Sequence, residues 1–358
     1  MTSSQPTILV INPGSTSTKI AVFRGMKCLF ETELKHDAMA LAAFEHFSGQ
    51  VEYRLKELKK FLLEHAVNLQ EVDVFIGRGG LLRPLASGVY RINDQMLDDL
   101  RECRHGEHAS NLGAILAMEF ARPTGKPAYI ANPVVVDELS PVARITGHPD
   151  VTRRSVFHAL SHKAVAAKAA AKLGKPYEKC NLIVAHLGGG ITIGAHEKGR
   201  VVDVNNALDG EGPFSPERTG ALPLLSFYGY CHEQNWTRAR VQKFITREGG
   251  LLAHLGTNDC EEIEKRVAAK DPKFTRVYDA FVYQVAKSIG AMAAALSGKV
   301  DAIVLTGGIV RAKIFVKKLT DRVRFIAPVY AIMQNSEMEA LAGAALAACR
   351  GEQEVKSY

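Results

Sequence analysis

The sequence has no long hydrophobic run. Its apolar runs, such as residues 8–11 and 303–305, have the length of single strands, whereas a membrane-spanning helix needs about 20 consecutive apolar residues. Residues 1–7 also lack the basic start and the apolar core of a signal peptide. We therefore expect a cytoplasmic protein without membrane spans.

Cysteine is scarce and scattered, and several enzyme motifs are missing. The six cysteines of this 358-residue chain form no CxxC pair and no spacing typical of a zinc site, which predicts reduced thiols. There is no GxSxG elbow, no GxGxxG that opens a helix, and no GxxxxGK[ST] loop. His158 and His162 are four residues apart but lack the glutamate of the HExxH zinc motif.

The composition is that of an ordinary globular protein with a basic surplus. Hydrophobic residues make up 47% of the chain, charged residues make up 23%, and the formal net charge is +7. A positive chain attracts anionic ligands or nucleic acid. Because the Lys and Arg residues are spread along the chain without an aromatic-interleaved patch, we favour a small anionic ligand over nucleic acid.

One supersecondary pattern occurs twice. Residues 7–11 and 19–23 are predicted strands around a polar turn, and residues 181–186 and 191–196 are predicted strands around a glycine turn. In both copies a reverse turn and a third strand follow. The repetition predicts two similar domains that arose by duplication.

We place these domains at residues 1–160 and 161–336, with a C-terminal helix of about 337–350 that packs onto the first domain. Ser336 can cap this helix, because Glu339 stands three residues later as in a capping box.

Two further elements are predicted from apolar spacing. Residues 323–326 are expected to form the last strand. A long helix in the first domain is expected to bury one face, which carries Leu55, Leu58, Leu62 and Leu63.

Two turns can hold phosphate groups. In the first, NPGSTSTK at residues 12–19, Gly14 permits a tight turn, and the hydroxyl groups with Lys19 offer donors to an anion. A plain polar hairpin turn is the alternative interpretation. In the second, HLGGGIT at residues 186–192, three successive glycines remove the side chains where the backbone would approach a ligand. Because the turns occupy matching points of the repeat, we expect them to hold one nucleotide's phosphates from two sides.

A third glycine pair lies in TGGI, residues 306–309, at a strand-to-helix junction. It can provide a flat slot for an adenine ring, or it can be only the turn into a helix, which turn chemistry alone favours.

Eight motifs in order carry a family resemblance. They are NPGSTSTK, GRGG, HASN, NPVVVDE, HLGGGITIG, GPFSPERTG, TGGI and NSEMEAL. From residue 7 to about residue 350 they resemble the acetate and butyrate kinases, the acetokinase family, within the wider sugar kinase, heat-shock ATPase and actin-like fold. The forms GRGGLLRP and GEGPFSPERTG are more similar to the butyrate kinases.

The resemblance implies a fold and a reaction. The fold is α/β, with duplicated actin-like (ribonuclease H-like) domains, mixed sheets flanked by helices, and an ATP cleft between the domains. The reaction is reversible phosphoryl transfer from MgATP to butyrate, which gives butanoyl phosphate and ADP. The resemblance also implies a homo-oligomer, a dimer or larger.

The resemblance assigns roles by motif. Arg78 and Arg218 match arginines that hold the substrate carboxylate or the transferring phosphoryl group, which suits the bidentate guanidinium. His186 matches the histidine proposed to stabilise the transition state, and His108 matches another active-site histidine, on the substrate side. Without the resemblance, Arg218 would be interpreted as a solvated residue in the first turn of a helix.

Asp137 and Glu337 match the acidic residues expected near Mg²⁺, with Glu138 ranked behind Asp137. The positions that match the family's nucleotide-binding motifs are Asn12, Ser15, Ser17, Lys19, His186, Gly188, Gly189, Gly190, Thr306, Gly307, Gly308 and Ile309.

Two alternatives stay open. The substrate can be isobutyrate, propionate or acetate, because one methylene in an apolar pocket is worth only about 1–3 kcal/mol of discrimination. A protein of another class, a conformational ATPase of the actin or heat-shock type, would have no carboxylate to bind, and the two arginines argue against it.

Overall fold

The computed structural model describes residues 5–333 and 337–358. Contacts divide the chain into two compact units: the first contains the chain up to Val136 together with the C-terminal helix and strand, and the second begins at Asp137. The division predicted between residues 160 and 161 falls inside helix Ala159–Lys172 of the second unit. Within the described ranges no helix is long and apolar enough to cross a membrane.

The strands are β1 Thr7–Pro13, β2 Ser17–Arg24, β3 Lys27–Lys35, β4 Val74–Arg78, β5 Val89–Arg91, β6 Ala128–Ala131, β7 Asn181–Leu187, β8 Ile191–Glu197, β9 Arg200–Val204, β10 Ala302–Thr306, β11 Val329–Ala331 and β12 Val355–Ser357.

The α-helices are α1 Ala38–Ala42, α2 Val51–Glu64, α3 Asp94–Arg101, α4 Asn111–Ala121, α5 Pro141–Arg144, α6 Ala159–Lys172, α7 Leu224–Glu233, α8 Arg238–Arg247, α9 Gly250–Leu255, α10 Cys260–Ala268, α11 Pro272–Ala295, α12 Lys313–Val323 and α13 Glu337–Cys349. Short 3-10 helices lie at Phe47–Gln50, Leu69–Glu71, Arg122–Thr124, Tyr177–Lys179 and Gly308–Arg311.

The sheets of the two units share a five-stranded part of the same topology, to which the first sheet adds β5 and β12. The first sheet has the order β12-β5-β6-β4-β1-β2-β3, and the second has the order β11-β10-β7-β8-β9. In each sheet three consecutive strands pair antiparallel: β1, β2 and β3 in the first, and β7, β8 and β9 in the second. Two more strands are added in parallel. In the first sheet β4 pairs with β1 and β6 with β4, and in the second β10 pairs with β7 and β11 with β10. The predicted class, α/β with duplicated mixed sheets flanked by helices, is confirmed.

The central strands of both sheets are fully buried. Residues 8–11 of β1 and residues 302–305 of β10 have no exposed surface. Continuous apolar runs are typical of such strands, because helices cover both faces of the sheet. In the first unit, helices α4 and α13 pack against β1 and β4. The ends of these strands therefore have a rigid support.

Two predictions from apolar spacing were wrong in part. In α2, Leu58 and Leu62 are buried, but Leu63 is 81% exposed. The buried stripe runs through residues 54, 58 and 62, and its first member is the charged Arg54.

The last strand was also placed wrongly. Val323 ends helix α12, where it continues the buried stripe of Phe315 and Leu319, and Phe325 is 83% exposed. The strand is β11, which begins just after Pro328. Ser336, the predicted cap of the C-terminal helix, lies outside the described residues, and α13 is described from Glu337.

Candidate active site

Predicted site residues from three distant motifs meet in the first unit. Asn12 Nδ2 donates to Glu337 Oε2 over 2.8 Å, and Arg78 Nη1 donates to the same oxygen over 2.7 Å. Nη1 of Arg78 also lies 3.5 Å from Oδ1 of Asn12. The side chains of Arg78 and Glu337 are 23% and 28% exposed, so a ligand can reach them. We call Asn12, Arg78 and Glu337 the first-unit cluster.

Arg78 keeps donors for an anion. Its hydrogen bonds to described residues use Nη1 alone, whereas a guanidinium has five N–H donors in a planar fork. The bond to Glu337 fixes the fork in place, and Nε and Nη2 can then bind a carboxylate or phosphate oxygen.

Close backbone contacts hold the GRGG motif against helix α4. Arg78 ends β4, and a Cβ atom at the preceding Gly77 would lie 2.0 Å from the carbonyl oxygen of Gly113. A Cβ atom at Gly80 would lie 2.5 Å from Oδ1 of Asn111. Only glycine permits these approaches, so they explain two of the three glycines of this motif.

The HASN motif adjoins the same loop. Asn111 accepts from the backbone N–H of Leu81 over 2.8 Å and donates to the carbonyl of Gly106 over 2.9 Å. His108 stands three residues before Asn111, with its exposed ring bonded through Nδ1 to the hydroxyl of Ser110 at 2.8 Å. The motif thus joins the GRGG loop through its asparagine.

The other predicted residues of the first turn lie on the hairpin itself. Ser17 Oγ donates to Glu33 Oε1 over 2.5 Å, and Lys19 is exposed on β2 opposite Glu33 in the strand register. Ser15 is exposed at the turn. Among the described contacts, Asn12 is the member of this motif that joins the first-unit cluster.

Arg54 supports this turn from below, and sequence reasoning missed it. Its guanidinium, which is fully buried, donates to the carbonyl oxygens of Gly14, Ser15 and Ser17 over 2.9–3.0 Å and to the hydroxyl of Thr18 over 3.0 Å. Burial lowers the pKa of Arg54 to about 10. The spacing of residue 54 with the buried Leu58 and Leu62 was the available signal, but a charged residue on a helix is expected at the surface.

In the second unit, His186 lies near the end of β7 and stacks on a second imidazole. Its Nδ1 is bonded to the hydroxyl of Ser161 at 2.8 Å, and its ring lies 3.9 Å from the ring of His158 at an angle of 10°. The sequence analysis discussed His158 only as part of a possible zinc motif. Its position just before α6 gives no indication that its ring contacts His186 of β7, 28 residues later.

The glycine turn brings Arg218 to the same place. A Cβ atom at Gly188 would lie 3.3 Å from His186 Nε2, and a Cβ atom at Gly190 would lie 2.5 Å from the guanidinium of Arg218. The hydroxyl of Ser215 donates to the carbonyl of Gly189. The imidazole and the guanidinium therefore flank one short turn.

Arg218 is a half-buried cation in a loop. No helix begins at Ser215, so the interpretation of Arg218 as a solvated helical residue was wrong. Its backbone closes the loop through hydrogen bonds with Ser215, whereas no hydrogen bond or ion pair joins its guanidinium to another described residue. Burial lowers the pKa of Arg218, but arginine remains a cation in proteins. Such a charge beside a turn of three glycines is suited to an anion.

Asp137 is held by a bidentate ion pair. Both carboxylate oxygens accept from Arg144, over 2.6 and 2.7 Å. The neighbouring Glu138 instead accepts from Lys163 and from the backbone N–H of Val201, each over 2.7 Å. Glu138 thus ties together strands and helices, and Asp137 lies in the loop before α5.

The acidic residues of each unit can bind a magnesium ion only if phosphate oxygens of a ligand and water complete its coordination. No cluster of three His, Cys, Asp or Glu side chains suited to a metal is found in the described part of the chain. Mg²⁺ is usually bound by one or two carboxylates together with phosphate oxygens and water. Glu337, in its cluster with Arg78 and Asn12, fits that pattern, while Asp137 would act through water because Arg144 occupies both of its oxygens.

TGGI lies where β10 ends beside β7. Gly307 has a φ of 92°, and a Cβ atom there would lie 2.3 Å from the carbonyl oxygen of Leu187. Thr306 and Ile309 are buried, and Gly308 is exposed. Gly308 borders an open pocket of about 430 Å³, which is also lined by Asp259, Cys260, Glu261, Glu264, Arg311 and Ala312. This volume is within the range of small-molecule sites.

Comparison with known proteins gives concordant matches. The acetokinase family matches residues 143–335. The probable butyrate kinase of Listeria monocytogenes is 46% identical over 351 residues, which cover 98% of this chain and 99% of the relative. The probable butyrate kinase of Coprothermobacter proteolyticus is 48% identical over 352 residues, with the same coverage.

Solved structures agree on the fold. The acetate kinase of Porphyromonas gingivalis has a TM-score of 0.75 at 22% identity and covers 94% of this chain and 98% of its own. A propionate kinase of Francisella tularensis has a TM-score of 0.75 at 20% identity, with 95% and 98% coverage. At these identities the likeness concerns the fold alone.

Proposed function

The chain belongs to the acetokinase family, and we propose that it is a butyrate kinase, which transfers the γ-phosphoryl group of ATP to butyrate and forms butanoyl phosphate and ADP. Relatives of that name are 46% and 48% identical to it over nearly the whole chain.

The observation that carries the proposal is the position of Arg218. A half-buried guanidinium, which makes no hydrogen bond or ion pair to an acidic side chain of the described residues, lies against a turn of three glycines beside an imidazole. Burying an unpaired charge costs free energy, so such an arrangement indicates that an anionic ligand compensates the charge of Arg218. The phosphates of a nucleotide provide this negative charge.

The chemistry needs no covalent help from the protein. A carboxylate oxygen of butyrate attacks the γ-phosphorus, the bond from phosphorus to the β,γ-bridging oxygen breaks, and its electrons leave with ADP. Atoms and charge balance without a proton transfer. The protein therefore acts by positioning the reactants and by offsetting charge on the transferring group.

We assign these tasks by chemistry. The turn at residues 188–190 binds phosphate oxygens, with the N–H group of Gly189 as a donor because that of Gly188 already donates to the carbonyl of Gly190. Arg218 with His186 stabilises the transferring phosphoryl group. In the first-unit cluster, Arg78 binds the carboxylate of butyrate, with His108 near it. The hairpin residues Asn12, Ser15, Ser17 and Lys19 belong to the phosphate-binding set.

Mg²⁺ is the metal we propose, held by Glu337 and, through water, by Asp137, together with the nucleotide. When bound, it offsets the negative charge of the phosphates. We place the adenine ring at the 306–309 turn, where the open pocket beside Gly308 has a volume within the range of small-molecule sites.

We also propose a homo-oligomer. Helix α7 has no buried residue, and its Leu224 and Leu225 are 85% and 84% exposed. Adjacent exposed leucines on one apolar helix are typical of an interface between subunits. The molar mass in solution, from light scattering, tests this proposal.

The experiment for the activity is acyl phosphate formation, trapped as hydroxamate, with MgATP and acids from acetate to hexanoate plus isobutyrate. A maximum at butyrate supports the proposal. A maximum at isobutyrate or propionate keeps the reaction and changes the substrate. Steady ATP hydrolysis without acyl phosphate would favour the conformational ATPase.

A further inference from the structure

Behind the stacked rings of His158 and His186, the second unit contains a buried line of hydrogen-bonded side chains. The members of this buried line are Tyr177, His196, His162 and Thr192, and it ends at His158. None of these side chains has a role in the phosphoryl transfer described above. His162, His196 and Thr192 are at most 1% exposed.

The contacts along the line are short and continuous. The hydroxyl of Tyr177 lies 2.7 Å from His196 Nδ1, and His196 Nε2 lies 3.2 Å from His162 Nδ1. His162 Nε2 lies 3.0 Å from Oγ1 of Thr192. The same hydroxyl lies 2.9 Å from His158 Nδ1.

One backbone carbonyl sets the direction of these hydrogen bonds. His162 Nε2 also lies 3.2 Å from the carbonyl oxygen of Thr192, which can only accept, so Nε2 carries the proton. In a neutral ring Nδ1 is then an acceptor, and it accepts from His196 Nε2. By the same count, His196 Nδ1 accepts from the hydroxyl of Tyr177.

The other end of the line follows. Thr192 Oγ1 accepts from His162, so its own proton is directed to the second nitrogen within reach, Nδ1 of His158. A His158 ring that accepts at Nδ1 carries its proton on Nε2. All donors along the line thus point the same way, toward the stacked pair, and aligned hydrogen bonds strengthen one another.

Two further observations agree with neutral, closely packed rings along the line: one concerns their charge and the other the space that they occupy. Burial lowers the pKa of His162 and of His196 well below the usual range, so neither holds a second proton at neutral pH. Gly194 stands in the middle of β8, where glycine weakens a strand; a Cβ atom there would lie 3.3 Å from His162 Nδ1. The strand therefore leaves space for the ring.

We propose that the buried line holds His158 as the neutral tautomer with its proton on Nε2. Its members are positioning residues, since they act through His158. The inference rests on the proposed function in one respect, which is that His186 acts on the transferring phosphoryl group. A neutral His158 places no second positive charge 3.9 Å from the His186 ring when His186 contacts a phosphate oxygen. The tautomer itself can be measured without any turnover.

The test is a ¹⁵N NMR spectrum of the histidine side chains in the full-length protein at pH 7. The His158 signals are assigned by their loss in His158→Gln. We expect Nδ1 of His158 to resonate as an unprotonated nitrogen and Nε2 as a protonated one. A His158 ring protonated at Nδ1, or at both nitrogens, would overturn the proposal whether or not the protein is a kinase.

A matched pair of variants tests the line itself. Thr192→Val keeps the shape and removes the hydroxyl, so the His158 signals should shift toward a mixture of tautomers, whereas Thr192→Ser should keep the wild-type pattern. We expect kcat of Thr192→Val to fall about tenfold, less than the roughly 10²-fold cost of removing a charge-stabilising donor outright. If Thr192→Val does not fold, Tyr177→Phe provides the same test from the far end. Unchanged His158 signals in a folded Thr192→Val or Tyr177→Phe protein would refute the role of the line.

Discussion

The guanidinium of Arg218 lies directly against Gly190: a Cβ atom at residue 190 would stand 2.5 Å from both Cζ and Nη1 of the arginine. The glycine is therefore required by its neighbour's position and not only by a ligand. This contact links two motifs 28 residues apart and leads to the first prediction.

Gly190→Ala should lower kcat about 10²-fold, the cost of displacing one charge-stabilising donor, because the new methyl group pushes the Arg218 guanidinium away. Gly290→Ala is the control: it lies within α11, and a Cβ atom there meets nothing within 4 Å. Turnover measured at saturating substrates should separate the two variants. Equal turnover would mean that the position of Arg218 does not matter.

Arg218→Ala should lower turnover by at least about 10²-fold for the same reason. The fold should persist, because the arginine's side chain makes no hydrogen bond or ion pair to another described residue that would be lost. Circular dichroism checks the fold, and a coupled ADP assay gives the rate. Near-normal turnover in a folded variant would remove Arg218 from the active site.

Arg54→Met should destabilise the first unit by about 3 kcal/mol, since three partly buried carbonyl groups and the buried hydroxyl of Thr18 lose their donor at once. The KM for ATP should rise as well, because the hairpin turn loses its support. Urea unfolding gives the free energy of unfolding. Arg54→Lys serves as a comparison, because lysine keeps the positive charge but has fewer N–H donors than arginine. A variant as stable as the wild type would show that the turn does not depend on Arg54.

The stability should fall when the pH decreases from about 6.5 to about 4, and His36 should contribute. Burial and the nearby Arg54 lower the pKa of His36 to about 4. In the folded protein the Nε2 atom of His36 is hydrogen-bonded to Oγ1 of Thr18 at 2.8 Å. Between the two pH values the unfolded chain binds a proton at residue 36 and the folded chain does not, so unfolding is favoured.

The midpoint of thermal unfolding, followed across this pH range, checks the expectation. In His36→Gln the decrease should be smaller than in the wild type. The remaining decrease has the same sign, because His162 and His196 also have lowered pKa values. Identical pH dependence in the two proteins would show that His36 does not titrate as described.

The fold could be predicted from the sequence further than the site could. Apolar runs and turn residues are local signals, so both hairpins and their repetition were predicted within a few residues of β1, β2, β7 and β8. The strand predicted at residues 323–326 failed because a short, mostly apolar segment is equally compatible with the end of a helix. Val323 ends α12, and residues 324–326 form the turn that follows it.

Site residues depend on long-range contacts, which explains what was missed. Asn12, Arg78 and Glu337 could be named from motifs, but their shared hydrogen bonds join residues up to 325 positions apart. Arg54 and His158 belong to no recognised motif. Their partners, backbone carbonyls in one case and a stacked ring in the other, leave no trace in local sequence.

The measurement that tests the central claim most directly is the stoichiometry of one reaction. ADP and hydroxamate should be quantified together with MgATP, hydroxylamine and butyrate, and again without butyrate. We predict one hydroxamate for each ADP with butyrate, and negligible ADP without it. ADP that forms at the same rate in both reactions, without hydroxamate, would mean that the phosphoryl group goes to water and would contradict a butyrate kinase.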